Sequence, residues 1–221
     1  MLVISVLQSK GGVGKSTLCF NLAVTARTKY PRVAILDTDP QLSTDLWRRL
    51  RAEHNTAIPN DITVFGNENS PQNGIEKLAL DGWDVVFIDT PGHARANLRE
   101  AARISSLALV VMKCSVLDLH SSKDAISICH QENANYAVLL NLTEPGTVTH
   151  DEIRQLLVGE DVPVLTAEVQ RRHLYVTSVA TGQAGHEMPG AHAAKKEMTR
   201  LWDEIEAKAK THAKPQVAAH V

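Results

Sequence analysis

The chain has 221 residues, of which 43% are hydrophobic and 22% are charged, so its composition excludes a collagen-like or wholly disordered protein. Its net charge of -2 gives no global attraction to nucleic acid, so such binding would need a local patch or a surface built by a dimer. No apolar run reaches the roughly 20 residues of a membrane-spanning helix, and the first apolar segment lacks the basic leader of a secretory signal.

Strand-like and helix-like segments alternate along the chain. The strand candidates are short, continuous and apolar, as is typical of strands covered on both faces, and span 2–7, 33–36, 62–65 (the weakest), 85–88, 107–112, 136–140 and 162–165. Helical periodicity fits 15–29, 42–54, 74–80, 94–104, 117–131, 151–157, 171–180 and 191–210.

This alternation predicts one α/β domain over residues 1–210, with a doubly wound, mostly parallel sheet, helices on both faces and ligands at the carboxyl ends of the strands. The polar segment 67–73 is expected to be a surface loop, and residues 211–221 a flexible tail. The three cysteines, Cys19, Cys114 and Cys129, are odd in number and far apart. They indicate reduced structural thiols, with a redox or cluster role as the alternative.

The segment K-G-G-V-G-K-S-T, residues 10–17, lies directly between the first strand and the first helix. This is the context that a phosphate-binding loop requires. Gly11, Gly12 and Gly14 allow the backbone to turn tightly and to direct its N–H groups at phosphate oxygens, and the dipole of the following helix adds to the attraction. The segment therefore predicts a phosphate site at the end of the first strand.

The side chains of this loop suit a triphosphate with a metal ion. Lys15 would neutralise the β and γ phosphates, Ser16 would offer its hydroxyl to Mg²⁺, and Thr17 would bind near the α phosphate. A dinucleotide-binding turn is not expected, because the G-x-G-x-x-G spacing is absent. The residues expected to contact the nucleotide are Gly11, Gly12, Val13, Gly14, Lys15, Ser16 and Thr17.

Three aspartates follow apolar strands. Asp37 and Asp39 belong to A-I-L-D-T-D-P-Q, and Asp89 ends V-V-F-I-D and is followed by T-P-G. Carboxylates suit Mg²⁺, usually through retained water, and a glycine-bearing turn after Asp89 suits a loop that senses the γ phosphate. The alternative for Asp37 and Asp39 is capping of the next helix.

Together these motifs resemble the ParA/MinD superfamily of ATPases with a deviant Walker A loop. The usual first glycine of the loop is replaced by Ser9, and a second lysine, Lys10, opens the motif. The resemblance implies that ATP and Mg²⁺ are bound, and that Lys10 reaches across an ATP-sandwich homodimer to the partner's phosphates. It also implies that Asp37 and Asp89 serve the metal, while Asp39 orients or deprotonates the attacking water.

Beyond about residue 101 the resemblance is looser. Asn141 follows the strand 136–140, where family members read the adenine edge; the alternative is a turn or cap residue. Asp118, in S-V-L-D-L, is a candidate interface residue or a helix cap. The proline that the family often places in this loop is missing, and Cys114 stands there instead.

The position of the loop at residue 10 is similar to that in small ParA partition proteins without an operator-binding domain, so sequence-specific repression is not expected. The resemblance implies a cytoplasmic, nucleoid-associated ATPase with weak basal activity. Its ATP-bound dimer would bind DNA nonspecifically, and an adaptor of ParB type would stimulate hydrolysis to partition or position plasmid, chromosome or protein cargo. Candidate DNA contacts, with a solvated face as the alternative, are Arg171, Arg172, Lys195, Lys196 and Arg200.

A MinD-like ATPase that acts at a membrane surface is the alternative function. An apolar stripe at helical spacing lies near the C-terminus and consists of Met198, Leu201, Trp202 and Ile205. Because acidic residues are mixed into the polar face of this helix, we expect the stripe to pack on the core rather than on lipid. An iron–sulfur reductase is not expected, because the cysteines are not paired in glycine-rich settings. A tyrosine kinase of the related bacterial type is not expected either, because the tyrosines are scattered rather than clustered in a Tyr-rich tail.

Overall fold

Strands and helices alternate through the part of the chain that the computed structural model describes, residues 1–54, 62–66, 70–92, 94–144 and 146–211. The strands are β1 (Leu2–Leu7), β2 (Val33–Asp37), β3 (Thr63–Gly66), β4 (Val85–Asp89), β5 (Leu107–Met112), β6 (Tyr136–Thr143) and β7 (Val169–Gln170). The α-helices are α1 (Lys15–Ala26), α2 (Ser43–His54), α3 (Pro71–Leu80), α4 (Arg95–Ile104), α5 (Val116–Gln131), α6 (Val148–Gly159), α7 (Leu174–Thr177) and α8 (His192–Thr211).

These strands form one sheet in the order β3-β2-β4-β1-β5-β6-β7, and each neighbouring pair is parallel. From β1 the chain builds one side of the sheet as far as β4 and then crosses to the other side at β5, so the direction of winding reverses beside β1. In open α/β sheets a ligand crevice forms at such a reversal, outside the carboxyl ends of the strands. The predicted doubly wound α/β fold is confirmed.

The core has two layers, one on each face of the sheet. Along β1, Ile4 and Val6 belong to the layer under α1, α2 and α8, whereas Val3 and Leu7 belong to the layer under α3 to α6. Burial on both faces explains why the strands read as continuous apolar runs rather than as alternating ones.

The apolar stripe of α8 packs into the first of these layers. Met198, Leu201, Trp202 and Ile205 are all buried, and the ring of Trp202 lies 5.6 Å from that of Phe87 on β4. The expectation that this stripe packs on the core is therefore confirmed. None of the helices in the described ranges combines the length and the apolar character of a membrane span.

The predicted strand 162–165 is wrong. Val164 makes only an isolated parallel bridge with Val138, and the last strand is the two-residue β7. Pro163 has no N–H to donate to a ladder. The Leu165 amide donates to the Val138 carbonyl at 2.9 Å, but beyond it the amides of Thr166 and Ala167 donate to the carboxylate of Glu204 on α8 at 2.8 Å each.

The predicted helix 171–180 is shorter than expected. Only α7 and a 3-10 turn, Ser178–Thr181, are helical, because the Arg171 amide instead continues the strand pairing to the Thr143 carbonyl at 2.9 Å. In the predicted loop 67–73, α3 already begins at Pro71, capped by the Ser70 hydroxyl. Residues 67–69 of that loop and 212–221 of the predicted tail lie outside the described residues, and Thr211 ends α8.

Candidate nucleotide-binding site

The glycine loop between β1 and α1 has a backbone that other residues would strain. Gly12 and Gly14 have φ values of 71° and 92°, in the left-handed region, and Gly14 is the N-cap of α1. A Cβ on Gly14 would also lie 2.7 Å from Nδ2 of Asn141. The loop therefore ends at the amino end of α1, where backbone N–H groups are free to receive an anion.

The charged and hydroxyl side chains of the loop continue into the first turn of α1. Lys15 is the first residue of the helix and is buried, and Ser16 and Thr17 follow it half-buried. Gly11 and Gly12 are exposed at the mouth of the loop, whereas Val13 is buried. The predicted nucleotide contacts thus lie together at the carboxyl end of β1, and their contacts with nucleotide remain predictions.

The start of the loop is held by a buried glutamine that the sequence analysis missed. Gln8 donates from Nε2 to the Val111 carbonyl at 3.0 Å and to the Ser122 hydroxyl at 2.9 Å, while its Oε1 accepts from the Ser9 amide at 2.8 Å. A polar amide directly after an apolar strand was the available signal.

Asn141 supports the same loop from β6. Its side chain is buried and donates from Nδ2 to the Val13 carbonyl at 2.6 Å. It therefore fixes the loop beside Gly14, a contact that the sequence does not reveal. The predicted contact with an adenine edge stays a prediction.

Asp37 and Asp39 open the segment between β2 and α2. The buried carboxylate of Asp37 accepts from the Thr44 hydroxyl at 2.6 Å, the Thr44 amide at 3.0 Å and the Asp39 amide at 3.0 Å. Burial raises the pKa of Asp37, although these hydrogen bonds oppose the rise. Asp39 is half-buried and accepts from the Gln41 amide at 2.9 Å, and its predicted role toward the attacking water stays a prediction.

Asp89 is the register partner of Asp37 on the neighbouring strand β4, and it is fully buried. Neither of its carboxylate oxygens has a hydrogen-bond partner among the described residues. Burial raises its pKa to about 7, and the negative charge of Asp37 adds to the rise. The Ser16 hydroxyl and the Lys15 ammonium oppose it, although the Ser16 geometry falls short of a hydrogen bond.

This orphaned carboxylate fits a hydrated Mg²⁺. The described residues contain no group of three or more His, Cys, Asp or Glu side chains that would form a cage for a metal. Mg²⁺ is usually held by one or two carboxylates, retained waters and phosphate oxygens rather than by such a cage. Asp89, Asp37 and the Ser16 hydroxyl would supply the protein side of that site.

The turn after Asp89 packs against the glycine loop. The Thr90 hydroxyl donates to the Val6 carbonyl at 2.7 Å, and a Cβ on Gly92 would lie 3.2 Å from the Ser9 carbonyl oxygen. The Thr38 hydroxyl and amide both donate to the Asp89 carbonyl, at 2.9 and 3.0 Å. The turn after Asp89 therefore contacts both the start of the glycine loop and the segment after β2.

Lys10 forms an ion pair within the chain. Its Nζ lies 2.8 Å from Oδ1 of Asp118 in the first turn of α5, and the side chains of Lys10 and Asp118 are 42% and 5% exposed. The hydroxyl of Ser115, the N-cap of α5, contacts the other carboxylate oxygen of Asp118 and accepts from its amide. The alternative of Asp118 as the helix cap is therefore wrong, because Ser115 is the N-cap, and the prediction of Asp118 as an interface residue stays a prediction.

The predicted DNA contacts divide into two groups. Lys195, Lys196 and Arg200 are exposed on α8, on one shallow groove that also includes His192 and Asp203. By contrast, the other two candidates are engaged in ion pairs. Arg171 lies 2.9 Å from Glu144 with both side chains exposed, and Arg172 lies 3.1 Å from the nearly buried Glu197.

The sequence matches the family described as the CobQ/CobB/MinD/ParA nucleotide binding domain over residues 4–184. The chain is 26% identical over 210 residues to maintenance of carboxysome distribution protein A of Halothiobacillus neapolitanus, covering 91% of this chain and 95% of that protein. It is 26% identical over 198 residues to protein ParA of Rhizobium radiobacter, covering 85% and 86%. The solved MinD cell division protein of Aquifex aeolicus shares the fold with a TM-score of 0.73 at 15% identity, covering 94% and 98%.

Proposed function

The chain belongs to the CobQ/CobB/MinD/ParA nucleotide-binding domain family, and from this membership we propose that it is a ParA-like ATPase that partitions or positions cargo. In this proposal, Mg²⁺ and ATP bind at the carboxyl edge of the sheet and two copies enclose two nucleotides. The dimer binds DNA nonspecifically, and an adaptor of ParB type stimulates hydrolysis. The proposed location is the cytoplasm, on the nucleoid.

One observation carries the nucleotide part of the proposal. A glycine loop with two left-handed residues opens at the amino end of α1, directly beside the register-paired carboxylates of Asp37 and Asp89. Such a loop attracts phosphate, whereas the buried and unpartnered carboxylate of Asp89 calls for a cation. Both needs are met when a metal–triphosphate complex is bound.

The proposed hydrolysis depends on positioning and charge. In phosphoryl transfer the protein has little covalent chemistry to perform, so the orientation of the attacking water and neutralisation of the phosphates carry most of the rate. A bound Mg²⁺ would neutralise part of that charge. We assign orientation or deprotonation of the water to Asp39 and phosphate neutralisation to Lys15, with Lys10 of each copy completing the site of the other.

The proposed cargo role rests on the relatives named above. One is named for maintaining carboxysome distribution and the other is a ParA protein, and both match over most of their length. For DNA we propose the α8 cations Lys195, Lys196 and Arg200, because they share one exposed groove. A dimer would present these three cations twice, so nonspecific DNA binding would strengthen with dimerisation.

Nucleotide binding is tested with Lys15→Ala. We expect its affinity for Mg-ATP to fall about 100-fold, because removal of a charged group from a buried phosphate contact costs on the order of 3 kcal/mol. Titration calorimetry would measure this, and Lys123→Ala, which removes an exposed lysine of α5, is the control. Equal affinities in all three proteins would refute the assigned phosphate loop.

Dimerisation and DNA binding are tested with a nonhydrolysable ATP analogue. We expect the wild type to elute as a dimer and to retain nonspecific DNA only with the analogue, whereas Lys10→Ala should keep nucleotide but lose the dimer. Asp39→Ala should form the dimer with ATP itself, because hydrolysis is blocked. A wild type that stays monomeric, or that floats with liposomes and ignores DNA, would contradict the proposal.

A further inference from the structure

The ion pair between Lys10 and Asp118 joins two segments that are 108 residues apart in the chain. Lys10 lies at the mouth of the glycine loop, and Asp118 lies in the first turn of α5, which follows the neighbouring strand β5. The pair therefore fastens the ammonium group of the loop to its own protomer.

Asp118 is built to receive this cation. Its carboxylate is almost wholly buried, with one oxygen on Lys10 and the other in contact with the Ser115 hydroxyl. Although burial alone would raise its pKa, the hydrogen bonds from Lys10 and Ser115 and the nearby charge of Lys113 lower it. The carboxylate is thus ionised and already oriented before any partner arrives.

To reach the phosphates of a second copy, the Lys10 ammonium group would have to turn away from the buried carboxylate that it contacts within its own chain. On the basis of the proposed function, we propose that Asp118 is a positioning residue, which holds Lys10 within its own protomer until dimerisation and so sets the threshold for forming the ATP-bound dimer. Release of Lys10 leaves Asp118 with Ser115 and Lys113 as its remaining stabilising neighbours.

The surface around the pair fits this role. The two residues before Asp118, Val116 and Leu117, are 70% and 77% exposed although both are large and apolar. They belong to the same first turn of α5, so a second copy that approaches Lys10 would meet them together with Asp118. Burial of these side chains in a dimer would offset part of the free energy lost when the ion pair is released.

The size of the expected effect follows from the exposure of Lys10. A hydrogen bond to a charged group is stronger than an exposed surface ion pair, and this pair is intermediate, so its release should weaken dimerisation about threefold per lysine. Each dimer releases two such pairs. The dimer dissociation constant should therefore be about tenfold lower when the pair is absent.

The first experiment compares Asp118→Asn with the wild type at saturating nonhydrolysable ATP analogue, by analytical ultracentrifugation. We expect the dissociation constant of the dimer to fall about tenfold in Asp118→Asn and to return toward the wild-type value in Asp118→Glu. The matched control is Asp124→Asn, which makes the same charge change at an exposed position of the same helix. An unchanged or weaker dimer in Asp118→Asn would overturn the inference.

The second experiment needs no nucleotide and no dimer. Acetylation of Lys10 by an N-hydroxysuccinimide ester, followed by mass spectrometry, reports how firmly its ammonium group is held. We expect the rate to rise several-fold in Asp118→Asn but not in Asp124→Asn. Equal rates would overturn this inference alone, whereas a wild type that never dimerises with the analogue would overturn the proposed function.

Discussion

Two buried carboxylates of the molecule differ in whether they have hydrogen-bond donors. Asp89, at the carboxyl edge of the sheet, has no hydrogen-bond partner among the described residues for either oxygen, and its pKa is raised to about 7 by burial. Glu206, on α8, accepts from Lys210 and Tyr30 at 2.6 Å each and from Lys29 at 2.7 Å. Burial alone would raise the pKa of Glu206, but these donors lower it to about 2.

The difference separates a region that binds a ligand, around Asp89, from a region that stabilises the fold, around Glu206. A buried carboxylate without a partner is costly, so its presence beside the glycine loop indicates that a cation completes it. A buried carboxylate with three donors ties the segment after α1 to α8, and it stabilises the fold fully above the unfolded-state pKa of 4.5. The largest stability effects should therefore come from Glu206, and effects of the opposite sign from Asp89.

The first prediction tests the region around Glu206 through Glu206→Gln. The folded-state pKa lies below the unfolded value of 4.5, so the stabilisation is present above that pH and is lost as the pH falls toward about 2. Discounted for the exposure of Lys29 and Lys210, at 44% and 57%, the variant should lose about 2 to 3 kcal/mol at pH 7. Urea unfolding from pH 7 to pH 2.5 should show the two proteins converge.

Asp203→Asn is the matched control for this prediction. Asp203 lies on the same helix and also contacts Lys29 at 2.8 Å, but its side chain is 53% exposed. Its loss should cost less than about 1 kcal/mol. If both variants lost equal stability, or if the difference for Glu206→Gln persisted at pH 2.5, the cluster around Glu206 would not be the source.

The second prediction tests the binding region through Asp89→Asn. Without nucleotide at pH 8, the variant should be about 1 to 2 kcal/mol more stable than the wild type, because it removes an unpaired buried charge. The gain should come with loss of the Mg²⁺ dependence of nucleotide binding. Thermal unfolding and calorimetry, with and without Mg²⁺, would measure the two effects.

The third prediction compares Asp89→Asn with Asp37→Asn, the same substitution at its register partner on β2. Asp37 accepts three hydrogen bonds, and an amide at this position would turn its NH₂ group toward a backbone or hydroxyl donor. We expect this loss to outweigh the relief of the burial that raises the pKa of Asp37, so Asp37→Asn should lower stability by about 1 kcal/mol where Asp89→Asn raises it. Opposite signs at two neighbouring strand ends would be hard to explain by a general effect of charge. Destabilisation by both substitutions would show that Asp89 has partners in solution.

How far the sequence predicts this molecule depends on the range of the interactions. The bounds of β1 and β5 match the predicted strands 2–7 and 107–112 residue for residue, because a strand buried on both faces leaves a nearly continuous apolar run, which only Ser5 interrupts in β1. The order of segments also places the loop, Asp37 and Asp89 at one edge, since carboxyl ends of parallel strands meet there.

Local sequence patterns do not predict contacts between residues that are far apart in the chain. Nothing local links Gln8 to Ser122, Lys10 to Asp118 or Asn141 to Val13, and these contacts shape the loop. The predicted strand 162–165 is wrong for the same reason, since the amides of Thr166 and Ala167 bond to Glu204 on a later helix instead of extending the pairing with β6. Apolar periodicity reports which face is buried, not which side chain meets a backbone amide.

The last and smallest predicted effect concerns the salt dependence of DNA binding, which should distinguish cations that contact DNA from cations that stabilise the fold. Lys196 is exposed on the proposed DNA groove, whereas Arg172 pairs with Glu197, which also accepts from Tyr175 at 2.7 Å. With the analogue bound, Lys196→Ala should reduce the slope of log affinity against log salt by about 0.9 per protomer, since one phosphate contact is lost. Arg172→Ala should leave the slope unchanged and lower only the thermal stability, because its guanidinium is committed to the fold. Fluorescence anisotropy with a random duplex over a salt series distinguishes them. A slope reduced only by Arg172→Ala would place the DNA surface at the β7 end rather than on α8, and a slope reduced equally by both would extend the surface over both regions.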